Sequence, residues 1–134
     1  MHTVFLVVAV VFATVAAVLH VVIFLMESAL WSRPAIWRRF GVASQQDAAL
    51  LQPMAYNQGF YNLFLGIAAG LGLLLLISPA VEPVGVGIAG VALASMLLAS
   101  IVLITSNPKL ARAALTQGIT PLIALVFGAL WVLV

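Results

Sequence analysis

Residues 54–72, MAYNQGFYNLFLGIAAGLG, place amide and phenol side chains inside an otherwise apolar stretch. Asn57 and Tyr61 are four residues apart, as are Gln58 and Asn62, so each pair lies on one stripe of a helix. Membrane lipid offers such groups no hydrogen-bond partner. The pattern therefore indicates either contacts that hold neighbouring helices together or the polar contacts of a ligand pocket.

Two ionisable residues lie near the end of the first apolar run. His20 and Glu27 are seven residues apart, nearly two helical turns, so they share a helix face about 10 Å apart along the axis. Phe24 lies between them on nearly the same stripe. Because histidine titrates near neutral pH, His20 and Glu27 are candidates for a general acid and base. The alternative is a neutral histidine in the core and a solvated glutamate at the membrane surface.

The composition excludes an ordinary soluble domain. Hydrophobic residues make up 66% of the 134 residues, and charged residues only 6%, whereas soluble domains carry about 25%. The chain has no cysteine, which excludes disulfides and thiolate chemistry. One His and one Glu this far apart predict no metal site, and no cofactor motif is present. Without a run of basic residues we expect membrane lipid, and not nucleic acid, as a partner.

Four apolar runs reach the ~20 residues that cross a ~30 Å hydrocarbon core. The first run lacks a preceding basic segment and a clear cleavage site, so we expect it to be retained as a helix. The sequence predicts an all-α, four-transmembrane-helix bundle in a single membrane domain, residues 1–134. The predicted spans are residues 3–26, 60–77, 84–105 and 113–134.

The basic residues predict the orientation. All Lys and Arg residues fall in two connections, and the link between the second and third spans, residues 78–83, contains only Glu82. By the positive-inside rule, both termini lie outside, and the first and third connections are cytoplasmic. The basic residues are Arg33, Arg38 and Arg39 in the first connection and Lys109 and Arg112 in the third.

The sequence of the first connection, residues 28–55, predicts a segment that lies at the membrane interface. Trp31, Trp37 and Phe40 alternate with the three arginines, a pattern typical of an anchor in the lipid headgroup layer; a substrate lid is the alternative. Ser44 and Asp47 fit a capping box. They predict a short helix, residues 45–51, that stops or kinks at Pro53.

Glycines form a second face of the second span. Gly59, Gly66 and Gly70 point in nearly one direction, and the last two form a GxxxG pattern. This face predicts close packing within the bundle, with contact between copies in a homo-oligomer as the alternative.

The strongly polar side chains of all the spans fall in the predicted cytoplasmic half. Asn62 should lie at the depth of His20, so we expect these two to approach each other. The sequence thus predicts a polar cup open to the cytoplasm that binds a small lipophilic molecule. Its expected walls are Phe24, Tyr61 and Phe64, and its expected polar contacts are His20, Glu27, Asn57, Gln58, Asn62 and Gln117.

The order of these residues resembles a family of small bacterial membrane proteins called domain of unknown function 1304. The resemblance rests on His20, Phe24, Glu27, Trp31 and Phe40, followed by Asn57-Gln58-Gly59, Tyr61-Asn62 and Phe64-Leu65, whereas Leu63 departs from the small residue expected there. It covers essentially the whole chain and implies a multi-pass protein of the bacterial cytoplasmic membrane. The family name implies no activity.

Three classes of function stay open from the sequence. The first is a binding protein or enzyme for a lipophilic molecule, although no hydrolase or metalloprotease motif is present. The second is a proton-coupled transporter of lipophilic compounds that uses Glu27, although the outer half offers no polar path. The third is a structural or accessory membrane subunit.

The orientation can be tested on the natural cysteine-free background. We expect a cysteine at position 82 to react with a membrane-impermeant maleimide only from outside intact cells. A cysteine at position 39 should react only after the membrane is opened. Labelling of position 82 from the cytoplasmic side alone would contradict the predicted topology.

Overall fold

A computed structural model describes all 134 residues and contains five α-helices and no strands. The helices are α1 (His2–Glu27), α2 (Pro34–Trp37), α3 (Gln45–Leu75), α4 (Glu82–Ser106) and α5 (Ala111–Leu133). Short 3-10 turns cover Arg38–Phe40 and Pro108–Leu110. By length and composition, α1, α3, α4 and α5 can each cross a membrane. The predicted all-α fold with four spans is confirmed.

The four long helices form a closed ring in chain order. α1 packs against α3 and α5, α4 packs against the same two helices, and α1 and α4 face each other across the diagonal. Neighbours are antiparallel, because Gly66 meets Ala17 whereas Gly59 meets Ser28. At the other end of α1, Phe5 packs on Phe127, with ring centroids 6.1 Å apart. This up-and-down order follows from the short links between the last three spans.

The two ends of the bundle differ in charge. The cationic end contains the connection 28–44 and the 108–110 turn, and all five Lys and Arg residues lie there. The terminal end contains Met1, Val134 and the turn before α4.

Small side chains make up most of the core between the helices. Apolar side chains in a membrane are already in an apolar environment, so the hydrophobic effect gives little free energy for helix association. Helices associate instead by close packing of small residues. Valines of α1 spaced three or four apart remain exposed and form its lipid-facing stripe. The central buried cluster is Ala13, Ala16, Ala69, Ala92, Leu93, Met96 and Ala124.

The closest helix contact joins α3 and α4 through glycine. A Cβ atom added at Gly72 would lie 2.6 Å from the backbone nitrogen of Ala89, and one at Gly85 would lie 2.7 Å from the carbonyl oxygen of Gly72. Gly59 and Gly66 pack against α1 as predicted. Gly70 has no atom within 4 Å of a Cβ position. The GxxxG prediction was therefore wrong for Gly70, because the tight crossing lies two residues further on, at Gly72.

α3 runs without interruption through Pro53, so the predicted stop at this proline was wrong. The Ser44 cap is confirmed: its Oγ accepts a hydrogen bond from the Asp47 N–H at 3.0 Å. A proline inside a helix costs about 3 kcal/mol, but here packing holds the helix on both sides of it. Ala48 and Ala55 are buried in one cluster with Trp31 and Trp37. The resulting 31-residue helix is longer than a ~30 Å core requires.

The first connection folds back onto this extension of α3. Trp31 and Trp37 are only 5% and 2% exposed, and the Trp31 Nε1–H donates to the Ala48 carbonyl at 2.9 Å. The two rings thus face protein and not headgroups, which corrects the predicted role as lipid anchors. Arg33, Arg38 and Arg39 remain exposed. The connection is a packed cap over the cationic end.

The glycine contact between α3 and α4 gives a stability prediction. We expect Gly72→Ala to lower the free energy of unfolding by about 1–3 kcal/mol, because the new methyl group overlaps backbone atoms of α4. Gly70→Ala is the matched control, since its methyl group meets no atom within 4 Å. Unfolding in mixed micelles, followed by circular dichroism, measures both. Equal stability of the two variants would contradict the close crossing.

Candidate functional site

The side chains of Glu27 and Asn62 meet between α1 and α3 near the cationic end. The Asn62 amide nitrogen Nδ2 donates to Glu27 Oε2 at 2.9 Å. Its second hydrogen is directed to the Gln58 backbone carbonyl, at 3.1 Å. Both side chains are half-buried. The amide is fully used as a donor, whereas the carboxyl group keeps free acceptor positions.

Gly59 brings these two residues together. A Cβ atom at this position would overlap the Ser28 hydroxyl and would lie 3.2 Å from both the Glu27 Cβ and the Phe24 carbonyl oxygen. Only the missing side chain allows the α3 backbone to lie so close to the end of α1. One turn later Asn62 then reaches the Glu27 carboxyl group. A second contact, Gly66 on Ala17, fixes the same antiparallel register.

His20 is buried, and its hydrogen bond lies within α1. His20 is 2% exposed, and its Nδ1 lies 2.9 Å from the Ala16 carbonyl oxygen. Because a carbonyl only accepts, Nδ1 carries the hydrogen, and Nε2 of the neutral ring is the acceptor. His20 and Asn62 form no direct hydrogen bond with each other, because Asn62 is paired with Glu27; their approach through a bridging water stays a prediction. His20 and Glu27 form no hydrogen bond with each other.

A row of packed aromatic rings, the aromatic ladder, lies along one side of the contact between α1 and α3. The Phe24 and Phe60 rings meet edge to face with centroids 5.1 Å apart. Phe60 also packs on Tyr56 at 5.0 Å and on Phe64 at 6.1 Å. Phe60 was not among the predicted site residues. Its spacing of four from both Tyr56 and Phe64 was the signal that marks it.

The other predicted contacts are more dispersed. Asn57, Gln58, Tyr61 and Phe64 are exposed on α3, and Gln58 takes part in the polar pair only through its backbone. Gln117 is half-buried on α5. The structure thus brings Glu27, Asn62 and Phe24 together, and leaves Asn57 and Tyr61 on the outer surface of α3. Their roles as ligand contacts stay predictions.

Two cavities of the bundle lie away from this pair. A cavity of about 390 Å³ lies at the terminal end, and one of about 160 Å³ lies between α4 and α5 near Ser100 and Gly118. None of the predicted site residues lines either of them. No group of three His, Asp or Glu side chains is close enough to bind a metal ion.

Comparison with known proteins identifies the family. The model of the family described as "Protein of unknown function (DUF1304)" matches residues 14–129. The chain belongs to this family. The matched segment covers His20, Glu27 and Asn62, so the resemblance seen in the sequence is confirmed. No curated protein and no solved structure matches the chain.

The polar pair gives a prediction that a double-mutant cycle tests. We expect Glu27→Ala and Asn62→Ala to be coupled by about 1 kcal/mol, the usual contribution of a partly buried hydrogen bond. The free energies of unfolding of the two single variants, the double variant and the natural protein give this value. Asn57→Ala, combined with Glu27→Ala, is the control and should be additive. A coupling near zero for Glu27 with Asn62 would show that the pair does not form.

Proposed function

We propose that this multi-pass membrane protein binds a small lipophilic molecule at the Glu27–Asn62 pair. The molecule carries a hydrogen-bond donor or a positive charge on an apolar body. The observation that carries the proposal is the half-buried Glu27 carboxyl group, which has one amide partner and lies beside an aromatic wall. Apolar walls with a few convergent polar groups are typical of ligand sites.

The free acceptor positions of Glu27 define the polar part of the ligand. A carboxylate has about four acceptor positions, and Asn62 occupies one of them. A carboxyl group taken out of water is stabilised only when these positions find donors. An amine, ammonium or hydroxyl group of the ligand supplies the missing donor. Asn62 in turn orients the carboxyl group, because its second hydrogen is held by Gln58.

The aromatic ladder supports an apolar or cationic ligand body. Phe24, Phe60, Phe64 and Tyr56 form a continuous wall from the bundle seam to the outer surface of α3. Ring faces attract cations and contact apolar groups. In this proposal the ligand enters sideways from lipid along the ladder. The exposed Asn57, Gln58 and Tyr61 then provide polar contacts at the entrance.

Binding is favoured over transport and over catalysis by the placement of the polar groups. Transport needs a path through the terminal half, but the cavity there is lined almost entirely by hydrophobic residues. Acid–base catalysis by His20 and Glu27 needs both groups at one reacting centre, and the two side chains are separated by almost two turns of α1. A catalytic role for His20 stays a secondary proposal. We further propose that the cationic end faces the cytoplasm.

A charge-removing variant tests the proposed site. Glu27→Gln keeps the side-chain shape and can still accept from Asn62, so the bundle should retain its melting temperature. We expect the amount of co-purified small molecule to fall about tenfold, which corresponds to about 1.4 kcal/mol. Native mass spectrometry of the protein in mild detergent measures the mass and the amount of the bound molecule.

The matched control is Glu82→Gln, which changes the other glutamate of the chain, in the first turn of α4 at the terminal end. This variant should carry as much ligand as the natural protein. A natural protein without any bound molecule, or equal occupancy in both variants, would contradict binding at Glu27 and leave a helix-packing role for the pair.

A further inference from the structure

The cavity at the terminal end is a cleft between α1, α4 and α5, with α3 at its edge. Its volume is about 390 Å³, within the range of small-molecule sites. Fifteen of its 17 lining residues are hydrophobic, and the other two are glycines, Gly90 and Gly128. The cleft lies within the membrane-spanning helices, so hydrocarbon and not water surrounds it.

Small residues in the terminal half create this space. At the cationic half, α4 and α5 are in tight contact, because a Cβ atom at Gly118 would overlap the Ser100 hydroxyl. At the terminal half, a Cβ atom at Gly90 would meet no atom within 4 Å. Ala89, Ala124 and Gly128 also line the cleft and leave the gap unfilled.

The dimensions of the cleft fit one hydrocarbon chain. Its walls extend from Leu6 to Ala13 on α1 and from Ala124 to Leu133 on α5, which is roughly 10–14 Å along the helix axes. One leaflet of a bilayer has a hydrocarbon depth of about 15 Å, half of the ~30 Å core. A hydrocarbon chain that enters from the leaflet at the terminal end therefore reaches the inner end of the cleft.

Trp131 adds one polar feature to this apolar wall. It is the only lining residue whose side chain can form a hydrogen bond, and its Nε1–H is buried without a partner. It lies in the last turns of α5, where tryptophans of membrane proteins meet the interface. A buried N–H without an acceptor costs free energy. A bound molecule with a hydrogen-bond acceptor next to Trp131 Nε1 removes this cost.

We propose that the cleft binds one acyl chain of a membrane phospholipid, and that the ester carbonyl of this chain accepts a hydrogen bond from Trp131 Nε1. The site is independent of the Glu27–Asn62 pair. The central cluster with Ala16, Ala69 and Met96 lies between the two sites. Loss of one site should therefore leave ligand binding at the other unchanged.

Two glycines of α4 provide a matched test. Gly90→Leu fills the cleft, whereas Gly87→Leu places the same side chain on the exposed side of the same helix. A Cβ atom meets nothing within 4 Å at either position, and Gly87 does not line the cleft. Both variants should therefore fold.

The probe is dioleoyl phosphatidylglycerol, added to the delipidated full chain in detergent and followed by native mass spectrometry. We expect the natural protein and Gly87→Leu to retain one tightly bound lipid per chain. Gly90→Leu should bind it about tenfold more weakly. Equal retention by Gly90→Leu and Gly87→Leu would overturn the proposal. The proposal would also be overturned if the natural protein formed a lipid-free dimer and Gly90→Leu dissociated it. In that case a second copy of the chain, and not a lipid, would occupy the cleft.

The carbonyl contact is tested with an ether-linked lipid that has the same chains and headgroup. The natural protein should prefer the ester lipid over the ether lipid. Trp131→Phe keeps the aromatic wall but removes the N–H, so it should bind both lipids equally. The absence of any preference in the natural protein would contradict the role of Trp131.

Discussion

The contact of α3 with α1 through Gly59 and Gly66 determines the geometry of the cationic end. An added Cβ atom at Gly59 would overlap the Ser28 hydroxyl, and one at Gly66 would lie only 3.0 Å from the Ala17 carbonyl oxygen, so both glycines let α3 pack closely on α1. In lipid, where the hydrophobic effect gives helices little reason to associate, such close contact supplies much of the attraction. It also fixes which residues face each other, and so it pairs Asn62 with Glu27.

The cap over the cationic end depends on the same helix. α3 continues beyond the depth that a bilayer requires, and the first connection packs its two tryptophans on this extension. The Trp31 hydrogen bond to the Ala48 carbonyl ties the connection to the helix just before Pro53. The packing on both sides of the proline offsets its cost. Arg33, Arg38 and Arg39 remain exposed on the outside of this cap.

The two ends of the bundle differ in chemistry for one reason. Polar side chains are stable in a span only where partners or water are near, and here they lie close to the cationic end. In the terminal half, Ala, Gly, Val and Leu line most of the cleft. We propose that the carboxyl group with its aromatic wall at one end and the apolar cleft at the other bind two different molecules.

The sequence by itself determined the number of spans, the all-α class, the family and the Ser44 cap. These follow from hydropathy over about 20 residues and from local capping chemistry, which need no knowledge of neighbouring helices. Tertiary structure decided which polar residues meet, the burial of Trp31 and Trp37, the continuity of α3 through Pro53 and the place of the cleft. Each of these depends on the register and separation of helices. A shift of one residue rotates a helix face by about 100°, and the order of residues within one span does not specify it.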